Sequence, residues 1–265
     1  MAIRNFGASG AIMRRIGIVL LAAAGIGLAQ AASAADLGTA PIYRKAPAVA
    51  PFTWTGSYIG GYVGGAFSGQ DAVTGVPVNG AGAPAFAGPA TSYKYDGSFI
   101  GGYTGGYNWQ VAPNWVIGYE GETGYIGSKG SAAFAGSATS VATTRIEGIY
   151  SAWTARLGYA VDRSLVYAKG GLALAEFKTG VFDGPLGIDT VQRKYRLGYA
   201  VGGGWEYAID PKWSAKIEYL YLGFDRNVTT SGGFPARLSS TTELPGIHTV
   251  KVGANYKWDW FSLLR

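Results

Sequence analysis

Between Trp54 and Trp258 apolar and polar side chains alternate one for one in segments of about ten residues, separated by turn-rich connections. A period of two belongs to an extended strand, whose successive side chains point to opposite faces. In the segment 97–111, one face carries Phe99, Tyr103, Tyr107 and Trp109. The other carries Ser98, Ile100, Thr104, Asn108 and Gln110. The third segment sets Trp115, Ile117, Tyr119 and Tyr125 against Glu120 and Glu122, and the fourth sets Ile149, Trp153, Leu157 and Tyr159 against Thr154 and Arg156. Val166, Leu172 and Leu174 oppose Lys169; Tyr195, Leu197, Tyr199, Val201 and Trp205 oppose Arg196 and Glu206. Trp213, Ile217, Tyr219 and Tyr221 oppose Lys216 and Glu218, and Val250, Val252, Tyr256 and Trp258 oppose Lys251, Asn255 and Lys257. In these seven segments every charge falls on the polar face. An eighth segment, 54–67, is aromatic and glycine-rich on both parities, so its phase cannot be assigned from the pattern.

Two architectures fit this alternation. A soluble barrel would turn the apolar face inward and its charges to water. A membrane barrel would turn the apolar face to lipid and its charges to the lumen. Three features select the second. Tyr and Trp crowd the apolar face, as they do at membrane interfaces. The polar face is rich in Gly, Ala, Ser and Thr, which suit a narrow interior. The connections alternate: 68–96, 128–148, 180–194 and 225–246 are long, whereas 112–114, 162–164 and 208–212 are short. Short periplasmic turns and long external loops follow that rhythm. The expected fold is therefore all-β: an eight-stranded antiparallel up-and-down transmembrane barrel over 54–258. Trp54, Trp109, Trp115, Trp205, Trp213 and Trp258 fall at the short-turn end and are expected to form a periplasmic aromatic girdle.

Composition agrees with this reading. Charged residues are 14% of the chain, against ~25% in an ordinary soluble domain. The absence of cysteine excludes disulfides, thiol nucleophiles and thiolate metal sites. The formal charge of +6 is inflated by Arg4, Arg14 and Arg15 near the start, and no basic run suggests nucleic-acid binding.

Met13-Arg14-Arg15, the apolar stretch 16–29 and Ala32-Ser33-Ala34 have the order of a secretory signal peptide, so 1–34 is expected to be cleaved near Ala34, with Met13 an alternative start. Residues 35–53 carry Pro41, Pro47 and Pro51 and are expected to form an extended periplasmic lead-in. Residues 259–265 form a C-terminal extension.

The closing strand carries Gly253, Tyr256 and Trp258 in the spacing Gly-x-x-aromatic-x-aromatic, which resembles the C-terminal signal read by the barrel assembly machinery. With Trp54-Thr55-Gly56-Ser57-Tyr58-Ile59-Gly60-Gly61 and Gly101-Gly102-Tyr103-Thr104-Gly105-Gly106-Tyr107-Asn108, the chain resembles the small eight-stranded outer-membrane barrel family. That family includes the OmpA-type membrane domain and the alphaproteobacterial outer membrane immunogenic protein, or surface antigen, branch. Its members usually end on the terminal aromatic, whereas this chain continues beyond Trp258. The resemblance implies a structural protein of the bacterial outer membrane, in contact with outer-membrane lipid and lipopolysaccharide. Some branches are described as pore-forming, haem-binding or adhesive.

For sharper functions the residues offer little. One histidine, His248, rules out multi-histidine metal sites, and the glycine clusters do not spell a nucleotide loop. No enzyme activity and no cofactor are expected. His248 is the single haem-ligand candidate, with a solvated rim imidazole as the plainer reading. Glu120, Glu122, Arg156, Lys169, Arg196, Glu206, Lys216 and Glu218 form a balanced inward charge set, expected to pair and plug the lumen; a small-solute pore is the alternative. The long loops, 68–96 and 225–246 above all, are expected to be exposed and mobile and to meet any host or phage ligand.

Overall fold

The computed structural model describes residues 52–183, 188–225, 227–232 and 238–258. The expected signal peptide (1–34), the lead-in apart from Phe52 and Thr53, and the extension 259–265 lie outside the described residues. The chain forms β1 (Gly56–Ser68), β2 (Ala72–Thr74), β3 (Thr91–Tyr93), β4 (Ser98–Gln110), β5 (Trp115–Ala133) and β6 (Ser140–Val161). It continues with β7 (Ser164–Asp183), β8 (Ile188–Ala208), β9 (Trp213–Phe224), β10 (Asn227–Gly232), β11 (Leu238–Glu243) and β12 (Ile247–Trp258).

Eight strands close in the order β1-β12-β9-β8-β7-β6-β5-β4. Every neighbouring pair is antiparallel, and β1 returns to β12 in register from Ser57↔Trp258 to Ser68↔Ile247. Parity decides the orientation. Tyr103, Ile149 and Tyr195 are 63%, 66% and 69% exposed, whereas Thr104 and Tyr150 beside them are buried. The apolar stripes therefore lie outside the cylinder, where only lipid could cover them.

The three short connections are tight. β6 and β7 are joined through Asp162 and Arg163, with Asp162 at φ 50, as two-residue hairpins require. In the β8–β9 turn the Asp210 carboxylate accepts hydrogen bonds from the backbone N–H of Lys212 and Trp213, both at 2.7 Å. Those bonds favour the ionised form and hold the Asp210 carboxyl below its usual range.

The long connections depart from expectation. Strands β5 to β8 run far beyond the others, so 128–148 and 180–194 are mostly strand rather than loop. The connections 68–96 and 225–246 contribute β2, β3, β10 and β11, which form a separate sheet in the order β10-β11-β2-β3. They carry buried anchors, among them Ala72, Thr74, Tyr93 and Val228; β2 and β3 take six residues of 68–96, and β10 and β11 take twelve of 225–246. The anchors are isolated residues among Gly, Ala and Pro, a pattern too sparse to read as strands.

This second sheet meets the extended wall at both edges. On one side the Asp96 N–H donates to Lys129 O at 2.8 Å, and Thr91 Oγ1 donates to Ala133 O at 3.0 Å. On the other side Gln192, Lys194 and Arg196 of β8 donate to the carbonyls of Ser231, Thr229 and Asn227 of β10. Arg196, expected in the lumen charge set, is thus a strut between the two sheets. Its parity is inward, but it stands above the last β8–β9 pair, Gly198↔Phe224, where the barrel wall on that side has ended.

Trp54 also departs from expectation. It is 4% exposed and packs with Val116, Ala160, Leu165, Tyr167 and Ala208, with Phe52 edge-on at 5.2 Å. It plugs the short-turn end of the barrel. The other five, Trp109, Trp115, Trp205, Trp213 and Trp258, are all exposed on the outer face near the short-turn end. Trp54 shares the inward parity of Tyr58, Tyr62 and Ala66, in the one segment whose phase the pattern leaves unassigned. At the opposite end the interior is mainly apolar: Ile100, Ile126, Ile146, Phe177, Leu220 and Leu222 are buried with Phe134, Leu244 and Ile247, beside buried hydroxyls that pair with one another, Thr74–Tyr93–Thr144 and Thr179–Thr230.

Trp54→Ala removes the plug, and the loss of stability should be about 3–5 kcal/mol. Trp213→Ala, which removes a half-exposed outer ring and its edge contact with Tyr256, should cost clearly less. Urea titration of the barrel in lipid vesicles, followed by loss of the compact gel band, measures both.

Candidate functional site: the ionic core of the barrel

Midway along the barrel the inward residues are ionised. Glu120 and Glu122 come from β5, Arg156 from β6, Lys169 from β7, Glu206 from β8, Lys216 and Glu218 from β9, and Lys251 from β12. Period-two geometry forces them inward, because each has the parity opposite to the outward apolar stripe of its strand. All eight are buried. Four carboxylates meet four cations, so the set is neutral.

The Glu120 carboxylate is the hub. Its Oε1 lies 2.7 Å from Lys169 Nζ, and its Oε2 lies 2.8 Å from Lys216 Nζ and 3.5 Å from Arg156 Nη1. Lys169 also reaches Glu122 at 3.1 Å and Glu218 at 2.8 Å. Lys251 joins those same two carboxylates at 2.8 Å each. Arg156 Nη2 binds Glu206 at 2.8 Å, while Ser214 and Asn255 donate to the other Glu206 oxygen. Glu206 and Lys216 are opposite in register, yet each takes its ion-pair partners elsewhere.

Tyrosines complete the set. Tyr58 accepts from Arg156 at 2.8 Å and donates to Glu120 at 2.9 Å. Tyr167 donates to Glu218 at 2.7 Å, and its ring lies 3.9 Å from the Arg156 guanidinium carbon. Tyr150 donates to Glu122 at 3.0 Å, which leaves its oxygen to accept from Tyr62 at 2.7 Å. Glycines make room for these rings. A Cβ on Gly106 would lie 2.7 Å from the Tyr58 hydroxyl, one on Gly204 2.7 Å from that of Tyr167, and one on Gly102 2.7 Å from that of Tyr62. These three glycines thus leave space for inward tyrosines.

Seven of the eight residues in the expected charge set therefore come together, and Lys251 takes the place of Arg196. Lys251 lies on the polar parity of its segment, so the signal was present. What parity could not supply was height along the barrel axis, which separates Lys251 from Arg196. Tyr150 and Tyr167 share the parity of Arg156 and Lys169 and were legible in the same way. Tyr58 and Tyr62 sit in the one segment without an assignable phase.

Glu120, Glu122 and Glu218 offer carboxylate oxygens within 4.8 Å of one another. Lys169, Lys216 and Lys251 stand among these oxygens, so fixed ammonium groups already supply the positive charge a metal ion would bring. His248 lies elsewhere, on the outward parity at the top of β12. Its Nδ1 is 2.6 Å from the Tyr219 hydroxyl, and its ring stacks on Phe67 at 5.5 Å. Tyr221 flanks it at 5.0 Å. It is a member of an upper aromatic cluster rather than an isolated rim imidazole.

A closed antiparallel cylinder, apolar outside and ion-paired inside, with an aromatic belt at its short-turn end, is a transmembrane β-barrel. The chain belongs to the outer membrane protein beta-barrel domain family, which matches residues 18–257. It is 35% identical over 261 residues to the 31 kDa outer-membrane immunogenic protein of Brucella melitensis biotype 1, covering 91% of this chain and 99% of that protein. The same protein of Brucella suis biovar 1 matches to the same extent. Among solved structures the chain is similar to the outer membrane protein OprG from Pseudomonas aeruginosa, with a TM-score of 0.53 and 14% identity over 78% of this chain and 98% of that one. At that identity the likeness concerns the fold alone. The protein is an outer-membrane β-barrel of a bacterium.

Removing one member of a buried ionic set strands its partners. Lys169→Met should cost on the order of 3–5 kcal/mol in urea unfolding from vesicles. Arg196→Gln, which removes an exposed strut, should stay within about 1 kcal/mol.

Proposed function

We propose that this protein is a structural element of the outer membrane: a closed barrel that contributes to envelope integrity and holds a folded β-sheet at the cell surface. The observation that carries this reading is the burial of the ionic core, where the side chains of Lys169 and Glu120 are 0% exposed. A conducting pore of this width needs hydrated charges along a continuous path. Here three layers fill the lumen in succession: the Trp54 plug, the neutral ionic set and the mainly apolar upper interior. An eight-stranded barrel is narrow enough for side chains alone to fill it.

The outward aromatics of β12 suit the remaining expected partner. Tyr256 packs on Trp213 at 5.1 Å and Trp258 is exposed at the short-turn rim. We assign Gly253, Tyr256 and Trp258 to recognition by the barrel assembly machinery. Surface ligands of a host or phage would meet the β10-β11-β2-β3 sheet, which stands beside the extended β5–β8 wall at the long-connection end. We assign no catalytic role.

Planar-bilayer recording of the purified protein tests the reading. The wild type should show no discrete conductance steps. Regular steps from the wild-type protein would make it a small-solute pore and remove the structural assignment.

A further inference from the structure

Four cations stand side by side on the outside of the barrel above its apolar band. Lys129 of β5 is opposite Arg145 of β6, Arg145 is opposite Lys178 of β7, and Lys178 is opposite Arg193 of β8. Residues opposite in register share a face. Lys129 has the parity of outward Tyr125, Lys178 that of Leu172, and Arg193 that of Tyr195, so the whole row faces outward. Lys129, Arg145 and Arg193 are exposed and Lys178 is half-buried.

Like charges directly opposite one another repel. A row of four on adjacent strands is therefore unfavourable by itself, and the local register makes it so. The β6–β7 pairing shifts between Arg145 and Tyr150. Had the register of Tyr150↔Ala175 continued, Glu147 would oppose Lys178, acid against base. The irregularity at 146–149, with Gly148 at φ 154, sets Arg145 there instead. Four acids lie near the row: the exposed Asp96, whose backbone N–H donates to Lys129 O, and Glu147, Glu176 and Asp189. Glu147 is 3.8 Å from Arg145. Glu176 lies next to the irregularity, on the barrel side of Lys178, and Asp189 lies beyond Arg193 on β8. Among the described residues, Lys129, Lys178 and Arg193 have no carboxylate within ion-pair distance.

Height identifies the occupant. Tyr125 lies ten residues along β5 from the girdle residue Trp115, and Lys129 fourteen. With a rise of ~3.3 Å per residue and a tilt of ~40°, each residue climbs roughly 2.5 Å. Tyr125 then stands about 25 Å above the girdle, the height of the apolar band of such barrels. The cation row stands roughly 10 Å higher, at the level of the lipid headgroups. Arg193, twelve residues from Trp205, reaches a similar level.

We propose that Lys129, Arg145, Lys178 and Arg193 form a docking row for the phosphate groups of outer-leaflet lipopolysaccharide. The row deepens the proposed envelope role and rests on the placement of the barrel in the outer membrane, not on the closed lumen. Basic clusters at a membrane surface bind anionic headgroups, and two of the four are arginines, whose planar donors match phosphate. A bound phosphate would also relieve the repulsion within the row.

The test titrates the folded full-length protein in zwitterionic detergent with deep-rough lipopolysaccharide, with the same lipid after enzymatic removal of its phosphates, and with inorganic phosphate. Folding is checked by the heat-shifted gel band. The wild type should bind the phosphorylated lipid about tenfold or more tightly than the dephosphorylated one, and excess inorganic phosphate should not displace it. The K129Q/R145Q/K178Q/R193Q variant should lose that preference, while K212Q in the β8–β9 turn should keep it. If the fourfold variant does not fold, K178Q/R193Q should show a several-fold loss. Equal binding of both lipids, unchanged affinity in a folded variant, or displacement by inorganic phosphate would each overturn the assignment. Bilayer conductance of the variants should equal that of the wild type, so failure here is distinct from failure of the closed-lumen reading.

Discussion

Hydrocarbon neither donates nor accepts hydrogen bonds, so every backbone amide and carbonyl within the bilayer must find a partner in the protein. The pairing of β1 with β12 meets that demand by leaving no strand edge in the membrane. Closure with eight strands then dictates the interior. The cylinder is so narrow that its inward side chains must fill it and satisfy one another. The ionic core is the form that satisfaction takes here. Glu120 binds three cations, and Lys169 binds three carboxylates. An unpartnered member of such a set would carry a large desolvation penalty, so its charge balance is a condition of folding rather than an ornament.

Beyond the bilayer the rule relaxes, and the architecture changes with it. Water can pair a free strand edge, so the wall above the membrane need not close by a ladder. Only β5 to β8 continue upward. The β10-β11-β2-β3 sheet meets them through isolated contacts, among them the three side-chain struts from Gln192, Lys194 and Arg196. The same relaxation tolerates the irregularity at 146–149, which would leave unpaired backbone groups in hydrocarbon but stands above Tyr150 where water is near.

The barrel was legible in the sequence because its two governing quantities are local. Parity assigns each residue to a face, and connection length assigns each turn to an end. Glu120, Glu122, Arg156, Lys169, Glu206, Lys216 and Glu218 all lie inward because each has the parity opposite to the outward apolar stripe of its own strand. Five girdle tryptophans lie where the short turns put them. The misplacements have the opposite cause. Trp54 has the inward parity of Tyr58 and Tyr62, but it lies in the one segment where aromatics and glycines on both parities hide the phase. Arg196 has the right parity at the wrong height. Lys251 has the right parity and the right height, and only the stagger between β12, β9 and β5 brings it to Glu122 and Glu218.

Alternation, strand count and membrane orientation follow from the order of residues alone, because backbone geometry converts a period of two directly into two faces. The choice of partners does not. Which cation meets which carboxylate, which tyrosine fills which glycine gap, and whether the long connections become sheet all depend on how far each strand is shifted against its neighbours. That shift is set only when the cylinder closes, since hydrogen bonds repeat along a strand and nothing within one segment records its height against the next.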